Sequence, residues 1–178
     1  QNLKWYSDLK GIRYASLRYF NAAGYDSDFK KIKAEINPQN LIPIVMEVAL
    51  GLRDQLEVFG NDYATPDGTG VRDYIHVTDL AEGHLACLDY ILNEDKNLEI
   101  NLGTGRGFSV LDIVKKTEII SNKKIKYVIS ERRAGDTDIV ISSSKKSHQL
   151  IGWSPARSDL DNIIKSSWAT YSYNLKVN

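Results

Sequence analysis

Cysteine is almost missing from this sequence. Cys87 is the only one, so no intrachain disulfide can form, and the expected setting is reducing and cytoplasmic. Excess charge is missing too: 23 Lys and Arg offset 23 Asp and Glu. No global field draws nucleic acid to the chain, and any anion site has to be local. No apolar run approaches the roughly 18 residues of a membrane span, and no signal peptide opens the chain. Neither a membrane nor a nucleic acid is therefore an expected partner. His76, His84 and His148 have no cysteine or carboxylate at ligand spacing, which argues against a metal site. The chain starts at Gln1 rather than Met, as expected of a sequence that begins inside a longer protein. There is no internal repeat and no low-complexity segment.

What is present is an ordinary globular composition. Of 178 residues, 42% are hydrophobic and 26% charged, enough for one domain or for part of a larger one. A chain of this size buries about 70% of the surface its unfolded form exposes. Asn2 to Lys10 reads as the end of a helix stopped by Gly11. Ile12 to Tyr19 reads as a buried strand, and Asn21 to Gln39 as a polar loop. Leu41, Ile44, Val45, Val48, Ala49 and Leu52 repeat at helical spacing, with Pro43 tolerated in the first turn. Strands are expected at Leu56 to Phe59 and Val71 to Val77, joined by a loop with a "PDG" turn. Leu80, His84, Leu88 and Ile91 mark a helical face, on which Cys87 is a small core residue. A strand at Leu98 to Leu102 precedes "SVLD", a capping box in which Ser109 caps and Asp112 reaches back. Further strands are read at Ile125 to Ile129 and Asp138 to Ser142. A short helix follows Ser144 and ends at Gly152, and "SDLD" at Ser158 to Asp161 caps a last helix. This alternation argues for an α/β fold with some parallel pairing.

Two motifs invite a catalytic reading and fail it on position. Tyr6 and Lys10 have the spacing of a tyrosine base assisted by a lysine. Lys10 abuts Gly11, however, which puts the pair at a helix C-terminus beside the start of a strand. Ligands in open α/β sheets bind at the other end of the strands. "NLGTGRGFSV" is a glycine-rich turn between a strand and a helix, but Phe108 stands where a third glycine is needed for a dinucleotide fingerprint. A structural turn is the preferred reading.

The informative segments lie elsewhere. "LRYFNAAG" (Leu17 to Gly24) ends a strand with aromatics and Asn21 at the ligand edge of the sheet. "NLIP" (Asn40 to Pro43) opens a helix, whose free N–H groups favour an anion. "VFGNDYATPDGTGVRDYIHVTDLAEG" (Val58 to Gly83) carries Phe59 and then Arg72. "RRAGD" (Arg132 to Asp136) supplies a second arginine and a carboxylate. Arg72 by itself fits a surface ion pair as well as an anion clamp. It shares a strand face with Tyr74 and His76 by period two, whereas Asp73 points the other way and is placed to anchor a loop.

At these segments the chain resembles the C-terminal part of the UDP-glucose 4-epimerases, which are extended short-chain dehydrogenases/reductases. The resemblance runs from about Leu3 to Tyr171. It implies the C-terminal portion of a Rossmann-type fold, in which last elements of an NAD-binding domain (about 1–24 and 71–120) interleave with a small mixed α/β UDP-sugar-binding domain (about 25–70 and 121–178). It implies NAD as cofactor, with Phe20 against the nicotinamide. It places Asn21 on the substrate, and Asn40 and Leu41 near the diphosphate. Glu57, Val58 and Phe59 would flank the uracil, with Phe59 stacking on it. Arg72 and Arg133 would grip the phosphates, Asp136 would accept from the ribose hydroxyls, and Val140 would lie at the sugar end of the pocket. No catalytic residue is expected within the chain, since the family's tyrosine, lysine and glycine-rich NAD fingerprint precede the matched part. The implied reaction is C4 oxidation of the UDP-sugar, rotation of the keto sugar and re-reduction, in a homodimeric full-length protein. A UDP-sugar dehydratase or decarboxylase, and a stand-alone nucleotide-binding module, are the alternatives.

Overall fold

Short strands alternate with longer helices along residues 1–26 and 33–177, which a computed structural model describes. In chain order they are α1 (Asn2–Lys10), β1 (Ala15–Tyr19), β2 (Asn21–Ala23), α2 (Leu41–Ala49), β3 (Leu56–Phe59), β4 (Val71–Arg72), β5 (Tyr74–His76) and α3 (Val77–Glu94). There follow β6 (Leu98–Leu102), β7 (Phe108–Ser109), α4 (Val110–Ser121), β8 (Tyr127–Ser130), β9 (Ile139–Val140), α5 (Lys145–Ile151) and α6 (Leu160–Val177). Strand β1 pairs with β6, β2 with β5, β3 with β8 and β4 with β9, all parallel; β4 with β7 is antiparallel. Parallel neighbours need long crossovers, and the helices supply them. The α/β class expected from the alternation is the one observed.

Two apolar clusters organise the chain. One gathers α2, α4, α6 and β3 around Val45, Met46, Ile113, Ile163 and Ile164. The other gathers β1, β6 and α3 around Ile100, Leu102, Cys87 and Trp153. Fully burying one such side chain contributes about 1.5–3 kcal/mol. Strand β5 stands between them: Tyr74 belongs to the first cluster and Ile75 to the second, as alternation along a strand requires.

Several elements differ from their sequence expectation. Strand β1 is half-buried, not buried: Ala15 and Leu17 pack on the second cluster, while Tyr14 and Arg18 donate to Glu99 (3.0 Å) and Asn101 (2.9 Å) on the other face. The expected loop after it opens with β2, because Asn21 N–H donates to the Asp73 carbonyl and starts a parallel pair; residues 27–32 lie outside the described residues. The expected strand Val71 to Val77 breaks at Asp73. Before the break it pairs with β7 and β9, after it with β2, and Val77 already belongs to α3. On α3 the buried face is Leu80, Gly83 and Cys87, whereas Leu88 is 51% exposed. Gly83 marks that face because Trp153 lies against it: a Cβ there would sit 3.2 Å from the indole. His84 is therefore off the packed face, and its Nδ1 is 2.7 Å from the Leu80 carbonyl oxygen. Strands β8 and β9 are shorter or shifted relative to the expected ranges. Asp159 accepts from Asn162 N–H (2.9 Å) and so caps α6, while Ser158 turns inward to Asp79. The Ser109–Asp112 capping box forms as expected.

Candidate functional site

Two adjoining cavities open where β2, β5, the start of α2 and the 132–136 segment meet. The smaller, about 210 Å³, is lined by Asn21, Asn40, Leu41, the Glu57–Phe59 strand, Arg72, Arg133 and Asp136, together with Tyr63 and Tyr74. The larger, about 440 Å³, is walled by Phe20, Asn21, Tyr25, Glu35, Asn40 and Tyr74 among others. The segments singled out in the sequence thus converge, although the outermost of them lie more than a hundred residues apart, from Asn21 to Asp136. Val140 lines neither cavity. It stands opposite Arg72 in the β4–β9 register, which puts it on the sheet face of Arg72.

Each side chain is held by identifiable forces. The Arg72 guanidinium donates to the carbonyls of Val71 and Thr137, both at 2.9 Å, and lies 3.7 Å from Asp136. Arg133 donates to Asp136 at 3.1 Å and lies over the Phe59 ring, 4.7 Å from its centroid. Asp136 therefore bridges the two arginines. Glu57 accepts from Ser130 Oγ (2.6 Å) across the β3–β8 pair. Arg132 caps the Tyr63 ring at 4.0 Å and donates to Asp62, whose carboxyl it holds below the usual carboxylate range. Asn40 is the N-cap residue of α2, yet its side chain makes no capping bond. Asn40 lines both cavities, at a helix end where the backbone favours anions. The Tyr74 phenol is pushed up to about 12 by burial, against the pull of the Arg72 charge.

On the other side of the same strand, Asp73 is 0% exposed. Its carboxylate accepts from Thr104 N–H (3.1 Å) and Oγ1 (2.6 Å), Gly105 N–H (3.1 Å), and Ser142 N–H (3.1 Å) and Oγ (2.7 Å). The glycine-rich turn of the sequence thus cradles an anion after all, an internal one. It is structural, as expected, and its glycines have a packing reason: a Cβ at Gly103 would lie 2.1 Å from Ser142 Oγ. Tyr6 and Lys10 sit in the last turns of α1, closed by Gly11 at φ 66°, and Tyr6 is 56% exposed. They line neither cavity. His76 lines neither of these two cavities. It caps α3 through Nδ1, which accepts from Thr78 N–H at 3.1 Å. Among the described residues, no group of three His, Cys, Asp or Glu converges on a metal-sized site, and no helix is long and apolar enough to cross a membrane.

Sequence reasoning puts Tyr74 on the ligand face without giving it a role, and it passes over Tyr25, Glu35 and Tyr63. Tyr74 carries a usable signal, the period-two spacing from Arg72. Tyr25, Glu35 and Tyr63 reach the cavities through loops and carry none.

The parallel strand pairs, their helical crossovers and a ligand-sized cleft at the strand ends define a chain of the Rossmann-type α/β class. Residues 1–103 match the NAD dependent epimerase/dehydratase family, and the chain belongs to that family. Within it, the chain is 42% identical over 171 residues to a UDP-glucose 4-epimerase of Streptococcus mutans, covering 96% of this chain and 51% of that protein. The crystal structure of a UDP-glucose 4-epimerase from Brucella ovis in complex with NAD superposes with a TM-score of 0.90 at 39% identity, over 97% of this chain and 53% of the other. The enzyme from Bifidobacterium longum, in complex with NAD+ and UDP, gives 0.86 at 38% identity, over 97% and 51%. The chain spans about half the length of the curated relatives it matches.

Proposed function

We propose that this chain is the nucleotide-sugar-binding half of an NAD-dependent UDP-glucose 4-epimerase. The observation that carries the proposal is the convergence of Phe59, Arg72, Arg133, Asp136 and the uncapped Asn40 on one cleft. Their chemistry suits UDP. An aromatic ring takes a flat base, two guanidinium groups and a helix N-terminus take a diphosphate, and a carboxylate accepts from ribose hydroxyls. In this reading Asp136 moves from the arginines to the ribose as phosphate oxygens take its place. The 3.7 Å contact to Arg72 is long and easily exchanged.

NAD would supply the redox chemistry needed at the sugar C4. Among the residues present, Phe20 fits it as an apolar wall of the larger cavity. The glycine-rich turn does not fit it, because its N–H groups are spent on Asp73. Asn21, on β2 between the two cavities, is placed to orient the sugar at their junction. Glu57 and Val58 would flank the uracil edge and Leu41 would border the diphosphate, while Val140, which lines neither cavity, would bear on the sugar only from its place opposite Arg72. Although 71–120 is expected in the NAD-binding part, the packing of Ile113 and Val114 in the α2–α6 cluster supports grouping α4 with the UDP-sugar-binding part. A cytoplasmic homodimer serving galactose metabolism completes the reading, supported by the single buried cysteine and by the likeness to the named epimerases.

The test is turnover. The 178-residue chain alone should not interconvert UDP-glucose and UDP-galactose with NAD added, because Tyr6 and Lys10, the pair at catalytic spacing, line neither cavity. The complete polypeptide carrying it should. Conversion by the chain alone would overturn the dismissal of Tyr6 and Lys10; no conversion by the complete polypeptide would overturn the epimerase assignment.

A further inference from the structure

Tyr74 is 5% exposed, and its ring is part of the first apolar cluster. It nevertheless forms wall in both cavities, beside Asn21, Asn40 and Leu41. A phenylalanine would supply the packing alone; a buried tyrosine ordinarily finds a partner for its hydroxyl. The surroundings that act on the Tyr74 hydroxyl are burial and the charge of Arg72, with no hydrogen bond among them. Tyr171 makes a useful contrast: its hydroxyl is buried beside Tyr25, and it lines neither cavity. Tyr74 differs in lining a ligand-sized space, within electrostatic reach of the Arg72 guanidinium.

We propose that the Tyr74 hydroxyl is a ligand-binding donor, giving its proton to a diphosphate oxygen that Arg72 also holds. The proposal rests on the reading of the cleft as a UDP-sugar site. A charge-assisted O–H···O contact at the seam of the two cavities fixes the diphosphate where the nucleotide ends and the sugar begins. Because burial keeps the phenol protonated far above neutrality, the donor is present throughout the physiological range. The residue binds and positions; it takes no part in proton transfer to the sugar.

The experiment titrates UDP and uridine, by calorimetry, into the complete polypeptide as wild type, Tyr74→Phe and Arg72→Ala, with thermal midpoints measured alongside. Tyr74→Phe should weaken UDP by about tenfold or more and leave uridine unchanged. Its midpoint should stay level or rise slightly, since the hydroxyl has no hydrogen-bond partner among the described residues. If Arg72→Ala loses UDP while Tyr74→Phe binds it as tightly as wild type, the Tyr74 assignment falls and the site stands. The assignment falls equally if uridine weakens as much as UDP, or if the midpoint drops with affinity intact. If the wild type does not bind UDP, or Arg72→Ala binds it unchanged, the reading of the cleft falls and takes the Tyr74 assignment with it.

Discussion

Arg72 and Asp73 are neighbours in sequence and opposites in situation. Arg72 faces the cleft, 20% exposed at the side chain, and its ionic partner Asp136 is 3.7 Å away. Asp73 faces inward, wholly buried, and every contact of its carboxylate is a fixed N–H or O–H from the 103–105 turn or from Ser142. Asp79 repeats the inward arrangement six residues on, accepting from the N–H groups of Ala156 and Arg157 and from Ser158 Oγ. A carboxylate surrounded by donors that cannot leave is a structural fastener. A guanidinium whose counter-ion is long and shared is free to exchange it. Charge alone does not mark function; the replaceability of its partners does.

The largest expected effect comes from removing the fastener. Asp73→Ala strands several buried donors at once and should lower unfolding stability by about 3–5 kcal/mol, read from urea denaturation. A loss near that of a surface ion pair, about 0–1 kcal/mol, would erase the distinction between the two residues. Next is the clamp. Arg72→Ala should weaken UDP binding by about 1.5–3 kcal/mol while moving stability by only about 0–1; calorimetry beside thermal melting reads both. A lowered midpoint with full affinity would make Arg72 a fastener as well.

Val140 tests how far the cleft face extends along the sheet. It is in register with Arg72 and stiff through its β-branch. Val140→Tyr in the complete polypeptide should depress kcat/KM for UDP-N-acetylglucosamine by about 1–3 kcal/mol more than for UDP-glucose, the usual cost of overfilling a packed site. An equal loss for both sugars would assign Val140 to the strand alone.

The smallest effect concerns His76, the third residue of that strand face. Burial holds its imidazole below the ordinary value, against the pull of Asp79. The folded state therefore binds a proton less readily than the unfolded chain. Stability is full above the unfolded pKa of about 6.5 and declines as pH falls from there through the lower folded value. Protonation at Nδ1 would also remove the acceptor that caps Thr78. Melting midpoints followed downward from about pH 7.5 should fall in the wild type more steeply than in His76→Asn. Parallel slopes would show that His76 does not titrate with unfolding.

How much of this is legible in the sequence depends on whether a residue's role is local. The Ser109–Asp112 capping box and the stop at Gly11 are written within four or five residues, and both form. The packed face of α3 is misread from sequence because its marker is Gly83, a residue that contributes nothing to a hydrophobic pattern but makes room for Trp153 from far along the chain. The break at Asp73 is invisible for a similar reason: the strand changes partners there, and the partners, β2, β7 and β9, are distant in sequence. The direction of Asp73 is legible, because side-chain alternation is local; the donors that fill its carboxylate are not. For the cleft, the residue types are readable as base-stacking, phosphate-binding and hydroxyl-binding chemistry. Their convergence is implied by resemblance and is present in the fold as a shared cavity.

The central claim is that the exchangeable charges of the cleft, and not the filled glycine-rich turn, hold the diphosphate. A crystal structure of the complete polypeptide grown with UDP tests it most directly, through the positions of the two phosphorus atoms. They are expected between Arg72, Arg133 and the N-terminus of α2, with the uracil on Phe59 and Asp136 released from Arg72. Phosphorus density at the Gly103–Gly105 turn, with Asp73 displaced from it, would contradict the claim.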